Sequence, residues 1–112
     1  MRPDVLSALF AALADPTRRA ILARLADGEA SVGELAAPFD LSLPTVSRHI
    51  KVLQAANLVT LERDAQWRRC RLNPEALRAA DDWLARYRSF WHERFDALAE
   101  FIEQLNRGEP KP

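Results

Sequence analysis

Residues 41–59 read LSLPTVSRHIKVLQAANLV, and the rest of the 112-residue chain can be placed outward from them. Ser42 is an N-cap residue, and Pro44 falls in a first helical turn, where N–H groups lack intrahelical partners anyway. At about 100° per residue, Val46, Ile50 and Leu53 form one apolar stripe. Pro44, Ser47, Arg48 and Lys51 lie opposite, with Thr45 and His49 at the edges. The outer set suits the major groove of DNA: an arginine grips guanine bidentately, and serine or threonine serves bases or phosphates. Lys51, further along, suits a phosphate. Any amphipathic surface helix has polar residues opposite its core, so the neighbouring segments decide what this one does.

On the N-terminal side, Ser31-Val32-Gly33-Glu34 fits a capping box, which starts a short helix at Val32. Pro38 helps to end it by Phe39, and Asp40-Leu41 is a tight turn. Two short helices joined so briefly read as a helix-turn-helix. On the C-terminal side the period changes. Val59 and Leu61 alternate with Thr60 and Glu62, and Cys70 and Leu72 alternate with Arg69 and Arg71. Both runs suit strands, with the tip at DAQW, residues 64–67. A hairpin directly after a helix-turn-helix is a wing. The fold class that follows is mostly α with a two-stranded β wing, a winged helix-turn-helix.

Two helices come first. Val5, Leu6, Leu9, Phe10 and Leu13 recur at helical spacing, and Asp15-Pro16 starts a second helix that buries Ile21, Leu22 and Leu25 and ends at Gly28. Asn73-Pro74 caps a last element that runs to about Asn106. There Leu77, Leu84, Trp91, Leu98 and Leu105 fall every seven residues, flanked by Tyr87, Phe101 and further aromatics. A helix of that length measures about 50 Å at 1.5 Å per residue, more than so small a domain covers. The uncovered apolar face calls for a second copy of the chain. The expected interface comprises Leu6, Leu9 and Phe10 with Leu77, Leu84, Tyr87, Trp91, Leu98, Phe101 and Leu105. One domain spans 1–106, and the tail 107–112 is expected to be disordered.

The chain balances 16 basic against 16 acidic residues, which on its face argues against a phosphate partner. Counted locally, the balance is different. Residues 42–71 hold six Arg or Lys against two acids, and the flanks hold the compensating acids. A basic patch is what phosphate contact requires. Arg63, Arg68 and Arg69 are placed to meet phosphates from the strands, and Gln66 from the tip. The single Cys70 excludes an intrachain disulfide and any zinc site built on two thiolates. No secretory leader is evident and no run of about 18 apolar residues occurs, so a cytoplasmic protein without a membrane partner is expected. Catalysis has little to stand on: two histidines, one cysteine, no Gly-rich phosphate loop and no G-x-S-x-G.

The segments LADPTRRAILARL, SVGELAAPFDLSLPTVSRHIKVLQAANLV and RRCRLNPEAL together resemble the ArsR family of winged helix-turn-helix repressors. The likeness extends over nearly the whole chain. It implies a homodimer joined by its terminal helices, with the fourth helices in successive major grooves of a pseudo-palindromic operator. It also implies Thr45, Ser47, Arg48 and His49 as the base-reading positions. Metal sensors of that family carry Cys-x-Cys at the start of the third helix, where this chain has Ser31 and Gly33. A second family site uses acids and histidines on the last helix, where His92, Glu93 and Asp96 supply one imidazole. No metal or cofactor is therefore expected. Many relatives place Gly then Arg at the wing tip, whereas this chain has Ala65-Gln66. Repressors of the family leave DNA when an effector binds, and the sequence identifies no small-molecule effector.

Three other readings remain open at this level. A winged-helix adaptor would bind protein through the same fold, although such modules tend to lose the basic outer face. Cys70 in RRCR would be a redox sensor if neighbouring guanidinium groups stabilise its thiolate, or simply a small half-buried strand residue. Trp83, Tyr87, Phe90 and Trp91 would line a ligand pocket or belong to the dimer core.

Overall fold

The computed structural model describes residues 4–108. The order of elements is α1 (Val5–Leu13), α2 (Pro16–Ala26), β1 (Ala30–Ser31), α3 (Val32–Ala36), α4 (Leu43–Ala55), β2 (Val59–Asp64), β3 (Trp67–Leu72) and α5 (Arg78–Arg107). A 3-10 turn, Pro74–Leu77, precedes α5. Where one domain over 1–106 is expected, the chain forms two compact units, one ending at Ala80 and one beginning at Asp81. Ala80 is the one buried residue among those described in α5. Of the tail, Arg107 is still helical and Gly108 is a turn; residues 109–112 lie outside the described range.

The first unit is held by one apolar cluster. Leu9 of α1, Ile21 and Leu25 of α2, Leu35 of α3, and Val46, Ile50 and Leu53 of α4 are each at most 3% exposed. Leu58, Val59 and Cys70 complete it from the sheet side. Each large apolar side chain so buried contributes roughly 1.5–3 kcal/mol, and the Val46–Ile50–Leu53 stripe fixes which way α4 faces.

Helix boundaries follow side-chain chemistry. Asp4 accepts from Ser7 N, Asp15 from Arg18 N and Ser42 from Thr45 N, each satisfying an orphan donor of a first turn. At α3 the capping box is complete: Ser31 Oγ accepts from Glu34 N, and Glu34 Oε1 accepts from Ser31 N. The carbonyls that end α1 are taken by the next helix. Arg18 donates to Ala12 O (2.6 Å) and Ala11 O (3.1 Å), and Arg19 to Leu13 O (2.8 Å).

The exit from α4 is a Schellman turn. Asn57 has φ 62°, Leu58 N donates to Leu53 O, and Asn57 N donates to Gln54 O. Asparagine tolerates this left-handed conformation in place of glycine, and the turn throws the chain into β2. Asn73 then closes the loop, donating from Nδ2 to Asn57 O (2.8 Å) and from its backbone to Leu58 O (2.9 Å). Asn73 occupies the N-cap position of the last element, as the sequence suggests, but its side chain does not cap it. The amide is already committed to Asn57.

The wing has one strand more than expected. β2 and β3 pair antiparallel from Val59↔Leu72 to Asp64↔Trp67, and β1 adds Ala30↔Cys70 and Ser31↔Arg69 on the other edge of β3. A two-residue strand has no period to read, which is why it escapes sequence analysis. The tip shortens to Ala65-Gln66, with Ala65 at φ 57°.

Candidate nucleic-acid interface

The stripe that anchors α4 leaves its other side free. Ser42, Pro44, Arg48 and Lys51 are exposed, and Thr45 and Ser47 are partly so. The first turn is ordered by its own hydroxyls. Ser42 Oγ and Thr45 Oγ1 share a hydrogen bond of 2.9 Å, and Arg48 Nη2 donates to Thr45 Oγ1 at 3.2 Å. The guanidinium is thus drawn toward the N-terminal half of the helix, the part that enters a groove in helix-turn-helix docking.

The hairpin divides its arginines between two faces. Cys70 faces the core, so by strand alternation Arg68 and its cross-strand partner Arg63 continue that face beyond the core. Arg68 Nη2 donates to Ser47 Oγ at 3.4 Å, which brings one wing guanidinium onto the outer side of α4. Arg69 and Arg71 point the other way. Both donate to Glu29, Arg69 at 3.1 Å and Arg71 at 2.9 Å. The hydrogen bond from Arg71 is the main cause that holds the Glu29 carboxyl below its ordinary range. Arg69, expected to meet phosphate together with Arg63 and Arg68, is instead in an intramolecular ion pair on the opposite face. Gln66 and Trp67 stand exposed at the tip.

His49, expected at the reading edge, is only partly accessible. Its Nδ1 lies 3.4 Å from Arg18 Nη1 and 3.9 Å from Asp15 Oδ2. The α1–α2 corner therefore meets α4 at this ring. Asp15 is held below its ordinary pKa chiefly by the backbone N–H of Arg18, with His49 and Arg18 charge adding to the effect. Arg18 and Glu29 are the two functional neighbours that sequence reasoning did not single out. Arg18 carried a faint signal, as a guanidinium one turn after a helix break. Glu29 carried none, because its partners lie 40 and 42 residues away.

Cys70 is fully buried, and burial pushes its thiol pKa up, against a smaller opposing effect from Arg68. Of the two readings of Cys70, this burial favours the small strand residue over an arginine-stabilised thiolate: Arg69 and Arg71 alternate to the outer face. Among the described residues no three His, Cys, Asp or Glu side chains gather as metal donors.

The expected dimer residues fall into two sets. Leu9 is 1% exposed in the core of the first unit, so it has no surface to offer a partner; it turns inward with Ala12, three residues on. Leu6 and Leu77 pack against the same core, partly buried, while Phe10 is exposed. On α5, Tyr87, Trp91, Leu98 and Leu105 are 41–61% exposed, with Phe90, Phe95 and Ile102 beside them. Leu84 and Phe101 are partly covered. Trp83 and Tyr87 stack as a tilted pair, centroids 5.0 Å apart. No helix among the described residues is long and apolar enough to cross a membrane.

Comparison with known proteins agrees with this architecture. A helix-turn-helix domain family matches residues 13–62. The HTH-type transcriptional regulator Rv2034 of Mycobacterium tuberculosis is 46% identical over 82% of this chain and 83% of its own length. The transcriptional repressor SdpR of Bacillus subtilis is 33% identical over 70% of this chain and 88% of its own. A crystal structure of an ArsR family transcriptional regulator superposes with a TM-score of 0.73 at 40% identity, covering 80% of this chain and 98% of that one. A homodimeric winged helix-turn-helix DNA-binding domain from Mycobacterium bovis, a possible ArsR-family regulator, gives 0.63 at 28% identity over 73% and 79%. The chain belongs to the ArsR family of winged helix-turn-helix transcriptional regulators.

Proposed function

We propose that this chain is a homodimeric repressor that reads a pseudo-palindromic operator with α4 and braces the duplex with its wing. Thr45, Ser47, Arg48 and His49 meet base edges, Ser42 and Pro44 lie at the groove entrance, and Lys51, Arg63, Gln66 and Arg68 meet the phosphate backbone. The observation that carries this reading is the contact of Arg68 with Ser47. It joins the core-facing side of the hairpin to the outer side of α4 in one basic surface. Repression is supported by the relative that bears that name, and dimerisation by the homodimeric neighbour. The second copy covers the apolar row of α5 from Tyr87 to Leu105. The protein acts in the cytoplasm, where its DNA is.

Selection of bound sites from a random DNA pool, followed by mobility-shift titration, tests this. Two related half-sites centred about 34–36 Å apart, or a multiple of that, are expected. Affinity should fall steeply with salt. Binding that shows no sequence preference at any salt concentration would leave the adaptor reading in its place.

A further inference from the structure

We propose that Arg18 is a positioning residue that fixes the tautomer of His49, so that the imidazole meets DNA as a hydrogen-bond donor at Nε2. The inference rests on α4 reading DNA. It starts from a contact whose direction is forced. A guanidinium has five donors and no acceptor, so the Arg18–Nδ1 contact at 3.4 Å makes Nδ1 the acceptor. A neutral imidazole carries one proton, which must then reside on Nε2.

Asp15 would impose the opposite state. Its Oδ2, an acceptor, would favour a proton on Nδ1, but it lies 3.9 Å away, beyond hydrogen-bond reach. Oδ2 accepts instead from Arg18 N at 3.0 Å. Arg18 is itself tightly held. Nε donates to Ala12 O and Nη2 to Ala11 O, so the end of α1 sets where Nη1 stands.

Nε2 is the nitrogen left over. Among the described residues it has no hydrogen-bond partner, yet no buried side-chain N or O there lacks one, so Nε2 is not buried. A donor at this position accepts pairing with guanine O6, purine N7, thymine O4 or a phosphate oxygen. It rejects the amino groups of cytosine and adenine. Arg18, which need not touch DNA, thereby restricts what His49 can read.

Two experiments test this. Nitrogen-15 spectra of the full chain, recorded once the imidazole signals no longer move with rising pH, should show Nδ1 bare and Nε2 protonated. Arg18→Met keeps the backbone bond to Asp15 but removes the donor at Nδ1, so the proton should become shared between Nδ1 and Nε2. Unchanged signals in a folded Arg18→Met chain overturn the proposal, as does a protonated Nδ1 in the unmodified chain.

The second experiment needs no change at Arg18. Loss of preference in His49→Ala identifies the base pair read, with discrimination falling about tenfold, the usual consequence of a lost base contact. Base analogues at that pair, such as 7-deazaguanine, should then identify an acceptor as the contacted group. A contacted amino group overturns the proposal. If His49→Ala alters no base preference, the reading role of His49 fails instead, while the spectra still decide the tautomer.

Discussion

Arg68 and Ser47, 21 residues apart in sequence, meet through a guanidinium-to-hydroxyl hydrogen bond of 3.4 Å. The bond is long and exposed, so its own worth is small. What it reports is placement: a wing cation standing beside the outer side of α4, where on the proposed reading a phosphate would compete for it. Arg68→Ala should therefore weaken binding to operator and random DNA alike. The slope of log affinity against log salt should become shallower by about 0.9, the loss of one phosphate contact. A slope equal to that of the unmodified chain would remove Arg68 from the interface.

Arg48 and Lys51 lie on the same helix, three residues apart, and should behave differently. Arg48 is drawn to Thr45 in the first turns of α4, the part of a recognition helix that meets base edges, whereas Lys51 is a turn further along. Arg48→Ala should cost about 1–3 kcal/mol at one base pair and erase preference there, while Lys51→Ala weakens all sequences about equally. Titrating both variants against operator and scrambled DNA checks the pair. Intact specific binding in both would mean that α4 is not the reading helix.

Periodicity and capping chemistry made most of this architecture legible. Val46, Ile50 and Leu53 declared the buried side of α4, and Ser31 and Glu34 declared where α3 begins. Such signals are local, written within one or two turns of chain. What stayed hidden was non-local. Glu29 finds Arg69 and Arg71 only because β1 and β3 pair, and β1 is too short to announce itself. Asn73 looked like a cap because the type is right, but its side chain is turned to donate from Nδ2 to Asn57 O, and its oxygen caps no first-turn N–H. Leu9 looked like interface because an apolar position does not say which of two apolar neighbours will cover it. The hairpin alternation was readable from Cys70 and Leu72, yet which arginines shared a face with α4 required the register.

Glu29 gives the wing a pH dependence with a definite sign. Its carboxyl is held below its ordinary value of 4.5, first by the Arg71 hydrogen bond. A group lowered in the folded state contributes stability above the unfolded value and loses it as pH falls through the folded one. Acid titration of the unmodified chain should thus loosen the wing below about pH 4.5, the unfolded carboxyl's value. Glu29→Gln should lose that step. At neutral pH it should also remove the Glu29 partner of Arg71, steepening the salt slope on random DNA by about 0.9 if that arginine reaches a phosphate. Amide exchange of β3 and the salt titration read the two effects separately, and an unchanged acid profile in Glu29→Gln would refute the linkage.

Burial of Cys70 sets an expectation opposite to that of a redox switch. The thiolate is the reactive species, and here it is disfavoured by desolvation and shielded by the core. Mild peroxide should leave DNA binding of the folded protein unchanged. Cys70→Ser should instead act on stability, costing about 1–3 kcal/mol for a buried hydroxyl without a ready partner. Denaturant unfolding measures the second, and a peroxide-dependent loss of binding that Cys70→Ser abolishes would reinstate the sensor.

The exposed row on α5 supplies the sharpest test of assembly. Leu98 is 53% exposed, and Trp91 and Leu105, seven residues to either side, are exposed as well. An isolated chain gains little from such a row, whereas a second copy would bury it. Leu98→Glu places a charge at its centre without touching the core of the first unit, whose buried residues end at Ala80. The variant should keep the unfolding transition of that unit and sediment as a monomer. With one reading helix instead of two on the operator, affinity should fall by about 10²–10⁴, the advantage that linked binding ordinarily confers. Half-site binding should be little altered. A variant that stays dimeric and keeps full operator affinity would place the interface elsewhere on the chain. One that loses half-site binding too would show that α5 supports the fold of the reading unit rather than its pairing.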